Sequence, residues 1–218
     1  MDRSSISLLE AGLNLLQFTD PPLLTQIRIF LEELERWNPR FGLVGTGGKD
    51  LVVRHVLDCL AGAHLFREIS PSFVADVGAG AGFPGIPLAL VLPQIRFTLI
   101  EPSRKRAAFL RNIRSLLRIE NIQVWEHDLE YLCRNLLPEE RFPCLTFRAF
   151  SPLNEKRLKQ LLRILKKGGS IIAYKGRREL IEKEAALGES LGLTYRIVEV
   201  SVPFLEEPRH LLWFNSSS

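Results

Sequence analysis

The chain has 218 residues, 46% of them hydrophobic and 25% charged, a composition that excludes a disordered or fibrous protein and suits one large folded unit. A net charge of +4 is compatible with a polyanionic partner without requiring one. The three cysteines, Cys59, Cys133 and Cys144, form no C-x-x-C pair, which argues against a disulfide framework or a zinc site.

The N-terminal stretch "MDRSSISLLEAG" has no charged segment leading into an apolar one, and no apolar run reaches membrane-spanning length. A soluble cytoplasmic protein without a resident metal is therefore expected. Residues 1–70 read as helices. Asp20 is placed to cap "DPPLLTQIRIFLEELERWN", with Pro21 in the first turn, and Leu23, Leu24, Ile27, Phe30, Leu31 and Leu34 recur at helical spacing. A glycine-rich loop, "FGLVGTGGKD", separates it from a second amphipathic helix, "LVVRHVLDCLAGAHLF".

From residue 73 the rhythm changes. β-Branched runs at 73–78, 96–101, 122–128, 144–150, 170–176, 194–200 and 210–215 alternate with helical patterns at 103–118, 154–166 and 178–191. That alternation predicts βαβ units and a doubly wound, mostly parallel α/β sheet of seven strands. The last two runs lack an intervening helix and should pair as a hairpin, with at least one strand antiparallel. The expected division is a helical extension over 1–70 and a Rossmann-like domain over 71–215, packed as one globular unit.

The stretch "DVGAGAGFPGIP" (76–87) follows the first strand. Gly80, Gly82 and Gly85 fit the dinucleotide pattern G-x-G-x-x-G, and Glu101 lies about 20 residues on, as a ribose-binding acid would. An NAD-dependent oxidoreductase is one reading. The register favours another. The tight turn is Gly78-Ala79-Gly80, and Asp76 at the strand end would set a carboxylate beside the ligand, which disfavours a pyrophosphate and suits an ammonium group. S-adenosyl-L-methionine carries a ribose, an adenine and a charged amino acid, and fits better. Glu101 would accept from both ribose hydroxyls, or else pair with Arg104 or Lys105. Asp128, Leu129 and Glu130 follow the third strand, where an adenine edge would lie.

The segments "RHVLDCL" (54–60), "DVGAGAGFPGIPLAL" (76–90), "IEPSRKRAAFLRN" (100–112), "FRAF" (147–150), "YKG" (174–176) and "LEEPRHLLWF" (205–214) stand in the order of the RsmG family, also called glucose-inhibited division protein B, which the chain resembles from about Trp37 to Phe214. The resemblance implies a class I S-adenosylmethionine methyltransferase fold and methyl transfer to N7 of a guanosine in bacterial 16S ribosomal RNA, naked or within the small subunit. It also implies that Gly78, Phe83, Leu129, Glu130 and Arg148 line the cofactor pocket, Phe83 by an apolar face and Leu129 through its backbone. Two departures stand out: Phe41-Gly42-Leu43-Val44 where the family carries an Asn-Leu-Thr stretch, and Phe147 where it carries serine. A third reading is an RNA-binding assembly factor that keeps the fold without turnover. A monomer is expected.

Guanine N7 holds no proton at neutral pH, so no general base is expected among the catalytic residues. His55 and Asp58, three apart on a helix, and Lys175 at the end of the fifth strand are assigned to target positioning. Arg54 and Asp58 could instead be an i,i+4 surface pair. Arg148 ends the fourth strand and could meet the cofactor carboxylate, an RNA phosphate or a structural acid. On helix 103–118, Phe109, Leu110, Ile113, Leu116 and Leu117 form one face, and Arg104, Arg111, Arg114 and Arg118 another. The arginines are either a solvated face or RNA contacts. Arg54, Arg177, Arg209 and His210 complete the RNA-binding candidates.

Overall fold

In the computed structural model the residues described are 1–148, 153–176 and 178–216, the side chain of Glu179 excepted. Helices α1 (Arg3–Leu15) and α2 (Pro21–Phe41) open the chain. Asp20 holds the N-cap position of α2 without a side-chain hydrogen bond, and Pro21 supplies the fixed φ that starts the helix. At the other end Gly42 turns into the left-handed region, with φ 56°, and its N–H bonds the Asn38 carbonyl at 2.9 Å.

The helix expected over "LVVRHVLDCLAGAHLF" is divided. It runs as α3 (Gly48–Leu51), a π-helical turn (Val52–Leu57), α4 (Asp58–Ala61) and α5 (Ala63–Ile69). The break at Gly62 has a packing cause. A Cβ there would lie 2.5 Å from the Tyr174 hydroxyl oxygen, so only glycine lets the helix approach the sheet this closely.

The remaining elements are β1 (Phe73–Val77), α6 (Gly85–Val91), β2 (Arg96–Ile100), α7 (Arg104–Leu116), β3 (Ile122–Trp125), α8 (Leu129–Asn135), a 3-10 turn (Pro138–Glu140), β4 (Phe142–Arg148), α9 (Glu155–Ile164), β5 (Leu165–Lys175), α10 (Arg178–Ser190), β6 (Leu193–Val200) and β7 (Arg209–Ser216). The seven strands form one sheet in the order β3-β2-β1-β4-β5-β7-β6. β7 runs antiparallel to both β5 and β6, and the other pairings are parallel. The sheet is thus the expected α/β architecture with its terminal hairpin. β3 is shorter than the run suggested, because Asp128 leaves the ladder to cap α8, its side chain accepting from Tyr131 N–H at 2.6 Å.

Each face of the sheet has its own apolar layer. Phe30, Phe66, Phe97 and Phe109 fill the face under α2, α6 and α7, while Phe142, Phe147, Leu161, Ile181 and Phe214 fill the face under α9 and α10. Burial of each such phenylalanine stabilises by roughly 1.5–3 kcal/mol. On α7, Leu116 is 52% exposed, outside the apolar stripe that spacing gave it, because the helix ends there and the chain turns through Arg118 at φ 51°. Among the described residues no helix is long and apolar enough to cross a membrane. No group of three or more His, Cys, Asp or Glu among them could hold a metal ion.

Candidate active site

The site is built where β1 and β2 end. Gly78, Gly80 and Gly82 adopt φ of 75°, 57° and 94°, so the backbone turns as residues with a Cβ rarely do. The N–H groups of Gly78 and Ala79 both donate to the Ile100 carbonyl, at 2.9 and 3.0 Å, and lash the loop to the end of β2. A Cβ on Gly80 would meet nothing nearer than 3.8 Å, so the loop leaves open space above its backbone.

Two carboxylates hold this loop from below. Glu101, 3% exposed, accepts Gly80 N–H at Oε2 and Ser103 N–H at Oε1, each at 2.9 Å. No ion pair joins it to Arg104 or Lys105 among the described residues. Asp76 is fully buried and accepts Gly85 N–H at 2.9 Å, while its Oδ1 has no partner. Asp76, expected beside the ligand, does not line the cleft, and neither does Glu101. Asp76 lies beneath the loop and anchors its far end, and burial, with the nearby Glu101 charge, raises its pKa to about 7.

Above the loop lies a cleft of about 270 Å³, lined by Gly78, Ala79, Gly80, Ala81, Phe83, Leu43, Val44, His55, Arg106 and Arg148. Its volume is just below the ~300–1,000 Å³ typical of ligand sites. Asn38 sets one wall, exchanging hydrogen bonds of 2.9 Å with both the N–H and the carbonyl of Val44. His55 sets another. Its Nε2 lies 3.0 Å from the Thr46 hydroxyl and its ring 5.1 Å from that of Phe83. Burial and then the Arg148 charge lower its pKa to about 4, so the imidazole is neutral at neutral pH.

Arg148 reaches the cleft from the end of β4. Its guanidinium donates to the carbonyls of Arg54 and His55 on the π-helical turn and lies 3.4 Å from Asp58. A structural tie and a place in the cleft are therefore combined in one side chain. Asp58, 4% exposed, is held between Arg148 and Arg209 and does not project across the mouth to hold a base.

Several other expected contact residues have partners within the chain, and Arg54 and Arg111 keep theirs at the exposed surface. Lys175 pairs with Glu184 at 2.6 Å rather than facing the cleft. Arg54 pairs with Glu207 at 2.8 Å and with Asp50 at 3.5 Å, not with Asp58. Arg111 pairs with Glu126 at 2.8 Å. His210 is 4% exposed, its Nδ1 3.2 Å from the Gly176 carbonyl, so it presents nothing to RNA. Glu130 pairs with Arg134, and neither it nor Leu129 lines the glycine cleft; both face a separate recess with Asn154 and Lys156. Arg114 and Arg118 remain exposed. Arg177 lies outside the described residues.

The sequence reading missed Arg106, which is exposed at the cleft rim, and the wall formed by Leu43 and Val44. The helical period of α7 was legible, but not which of its cations overhangs the loop. A larger cleft of about 610 Å³ between α8 and α9 is lined by the Glu130–Arg134 and Glu155–Lys159 pairs and faces no glycine turn.

The donor set fits S-adenosyl-L-methionine. A carboxylate offers about four lone-pair sites, and Glu101 has spent two on the backbone, which leaves two unspent on a side chain that is 3% exposed and lies just outside the cleft lining. Phe83 offers an apolar face, and Arg148 a cation.

A family model for rRNA small subunit methyltransferase G matches residues 23–212. Curated relatives named ribosomal RNA small subunit methyltransferase G include one from Treponema pallidum, 39% identical over 199 residues, covering 89% of this chain and 86% of the relative. Another, from Treponema denticola, is 32% identical over 217 residues, with 85% and 84% covered. Among solved structures, a candidate O-methyltransferase from Klebsiella pneumoniae superposes with a TM-score of 0.62 at 17% identity, covering 91% of each chain. A SAM-dependent methyltransferase from Aquifex aeolicus gives 0.54 at 18% identity, covering 69% of this chain and 87% of its own. The structural likenesses establish the fold alone.

Proposed function

The chain belongs to the rRNA small subunit methyltransferase G family, and on that premise we propose that it transfers a methyl group from S-adenosyl-L-methionine to N7 of a guanosine in 16S ribosomal RNA. The observation that carries the cofactor assignment is the left-handed Gly78–Gly80 turn, open above its backbone and held from below by Glu101, in a cleft that Phe83 and Arg148 also line. Neither the oxidoreductase nor the non-catalytic reading finds support in the family match.

When bound, S-adenosyl-L-methionine supplies an electrophilic methyl group on a sulfonium. Glu101 would orient the ribose, and Arg148 would meet the amino-acid carboxylate. Phe83 and the Leu43-Val44 wall exclude water from the apolar side of the cleft. Guanine N7 presents its lone pair in the ring plane and has no proton to lose, so no side chain needs to remove one. Alignment is then the main contribution, and positioning of this kind can lower a barrier by about 7–11 kcal/mol. Neutral His55, held by Thr46 at the mouth, is placed to hydrogen-bond the incoming base. Exposed Arg104, Arg106, Arg114 and Arg118 would meet RNA phosphates, which fix orientation without reading sequence.

The test is methyl transfer from labelled cofactor to small-subunit RNA isolated from cells lacking this protein, followed by mapping of the modified nucleotide. One 7-methylguanosine is expected. Label on another atom, or none under conditions where S-adenosylhomocysteine binds, would overturn the proposal.

A further inference from the structure

Asp58 stands between two arginines brought from distant parts of the chain. Its Oδ2 lies 3.4 Å from Arg148 Nε at the end of β4, and its Oδ1 lies 3.6 Å from Arg209 Nε at the start of β7. Two cations share one anion, so the triad by itself carries a net charge of +1 beside the cleft, and Glu207, paired with Arg54, also acts on Arg209 from the outer side. The side chains of Arg148 and Arg209 are only 17% and 20% exposed, which leaves this charge poorly screened by water.

Arg148 is also heavily committed. A guanidinium has five N–H donors. Nε faces Asp58, Nη1 is shared between the His55 carbonyl at 3.4 Å and Cys59 Sγ at 3.6 Å, and Nη2 donates to the Arg54 carbonyl. Among the described residues no partner takes the second Nη2 hydrogen, which is left for a ligand. A side chain so nearly spent depends on its surroundings for the direction of that last donor and for the strength of its charge.

We propose that Asp58 and Arg209 are positioning residues, which together fix Arg148 so that its remaining donor and the triad's surplus charge meet the cofactor carboxylate. This rests on the assignment of Arg148 to that carboxylate. Asp58 alone would draw Arg148 into a neutral pair and away from the cleft. Arg209 takes half of the Asp58 charge and so leaves Arg148 electropositive. Arg209 accordingly acts from within, through Asp58, and is not an RNA contact.

The test compares calorimetric binding of S-adenosylhomocysteine with that of 5′-methylthioadenosine, which lacks the amino-acid tail, to the full chain. The readout is the preference for the first ligand. Arg148→Met should reduce that preference by about ten- to a hundredfold, the scale of a hydrogen bond to a charged group. Arg209→Gln should reduce it by about tenfold with methylthioadenosine affinity unchanged, Arg209→Lys should recover most of the loss, and the double variant should be no worse than Arg148→Met. If Arg148→Met keeps the preference, the carboxylate assignment itself fails, and the proposal with it. If Arg148→Met loses the preference and Arg209→Gln keeps it, the assignment stands and the positioning role is overturned. Equal weakening of both ligands in Arg209→Gln would mark a packing role and also overturn it. So would lost RNA affinity with an unchanged preference, which would make Arg209 a phosphate contact.

Discussion

The Glu101 carboxylate receives the backbone N–H of Gly80 at 2.9 Å, so the acid assigned to the ribose also supports the turn over which the ribose would lie. Because both its oxygens accept from backbone, Glu101→Ala should remove ligand contacts and turn support together. The expected loss in S-adenosylhomocysteine affinity is about ten- to a hundredfold. Glu101→Gln should be nearly as damaging, because the amide turns an N–H toward Gly80 N–H or Ser103 N–H. Calorimetry on both variants, with melting curves to confirm folding, decides the matter. A fully active Gln variant would remove Glu101 from both tasks.

Asp76 yields a prediction about pH. Its folded pKa, raised to about 7 by burial and then by Glu101, exceeds the ~3.9 of an unfolded aspartate. The folded state therefore binds the proton more tightly. The contribution of this group to stability is greatest below about pH 4, declines as pH rises to about 7, and is constant above that. Asp76→Asn keeps an acceptor for Gly85 N–H and abolishes the titration. Its stability relative to wild type should thus improve between pH 5 and pH 8, as measured by urea unfolding at both. A difference independent of pH would show that Asp76 does not titrate in this range.

The arginines of α7 are now unequal. Arg104, Arg106, Arg111 and Arg114 are all exposed, and Arg111 also pairs with Glu126 at 2.8 Å. Neutralising Arg104, Arg106 and Arg114 should weaken RNA binding and flatten the slope of log affinity against log salt by about 0.7–0.9 for each phosphate left without its cation. Arg111→Gln alone should change the slope by less than one such step. Identical slopes in wild type and triple variant would leave α7 a solvated face.

The sheet and the glycine turn were legible in the sequence because their signals are local. β-Branched runs punctuated by helices dictate the strands, and "GAGAGFPG" followed by Glu101 places a tight turn beside an acid. The pairing of charges was not legible, because it depends on contacts across the fold. Arg54 meets Glu207, 153 residues away, instead of Asp58 one turn on. The π-helical turn rotates the side chains after Val52 away from their α-helical positions, so the i,i+3 and i,i+4 spacing of Arg54, His55 and Asp58 misled. Asp76 carries the same lesson in depth: its place at a strand end was correct, but an acid there can face the ligand or the underside of the loop, and Gly85 N–H draws it under.

The last prediction concerns proton transfer. His55 lines the cleft with its ring 5.1 Å from that of Phe83, and a neutral imidazole there has the chemistry of a base. Its surroundings argue otherwise. Burial first, and the Arg148 guanidinium second, depress its pKa to about 4, and Nε2 is engaged with Thr46. A folded pKa below the unfolded ~6.5 also means that its contribution to stability is complete above about pH 6.5 and is lost as pH falls toward 4. The acceptor N7 brings no proton for such a base to take. The single-turnover rate at saturating cofactor and RNA should therefore be nearly flat from about pH 6 to pH 9, and His55→Gln should lower it without giving it a new pH dependence. A general base of ordinary histidine pKa would instead make the rate fall below about 6.5, while a base held at about 4 would leave the profile flat here and show itself only as a ~10²–10⁴-fold lower rate in His55→Gln. A tenfold acid limb that vanishes in His55→Gln would show that His55 takes a proton, and the alignment mechanism would be wrong. A limb that vanishes only in Asp76→Asn would trace to the loop anchor, leaving the chemistry free of a base but making cofactor alignment the step that titrates.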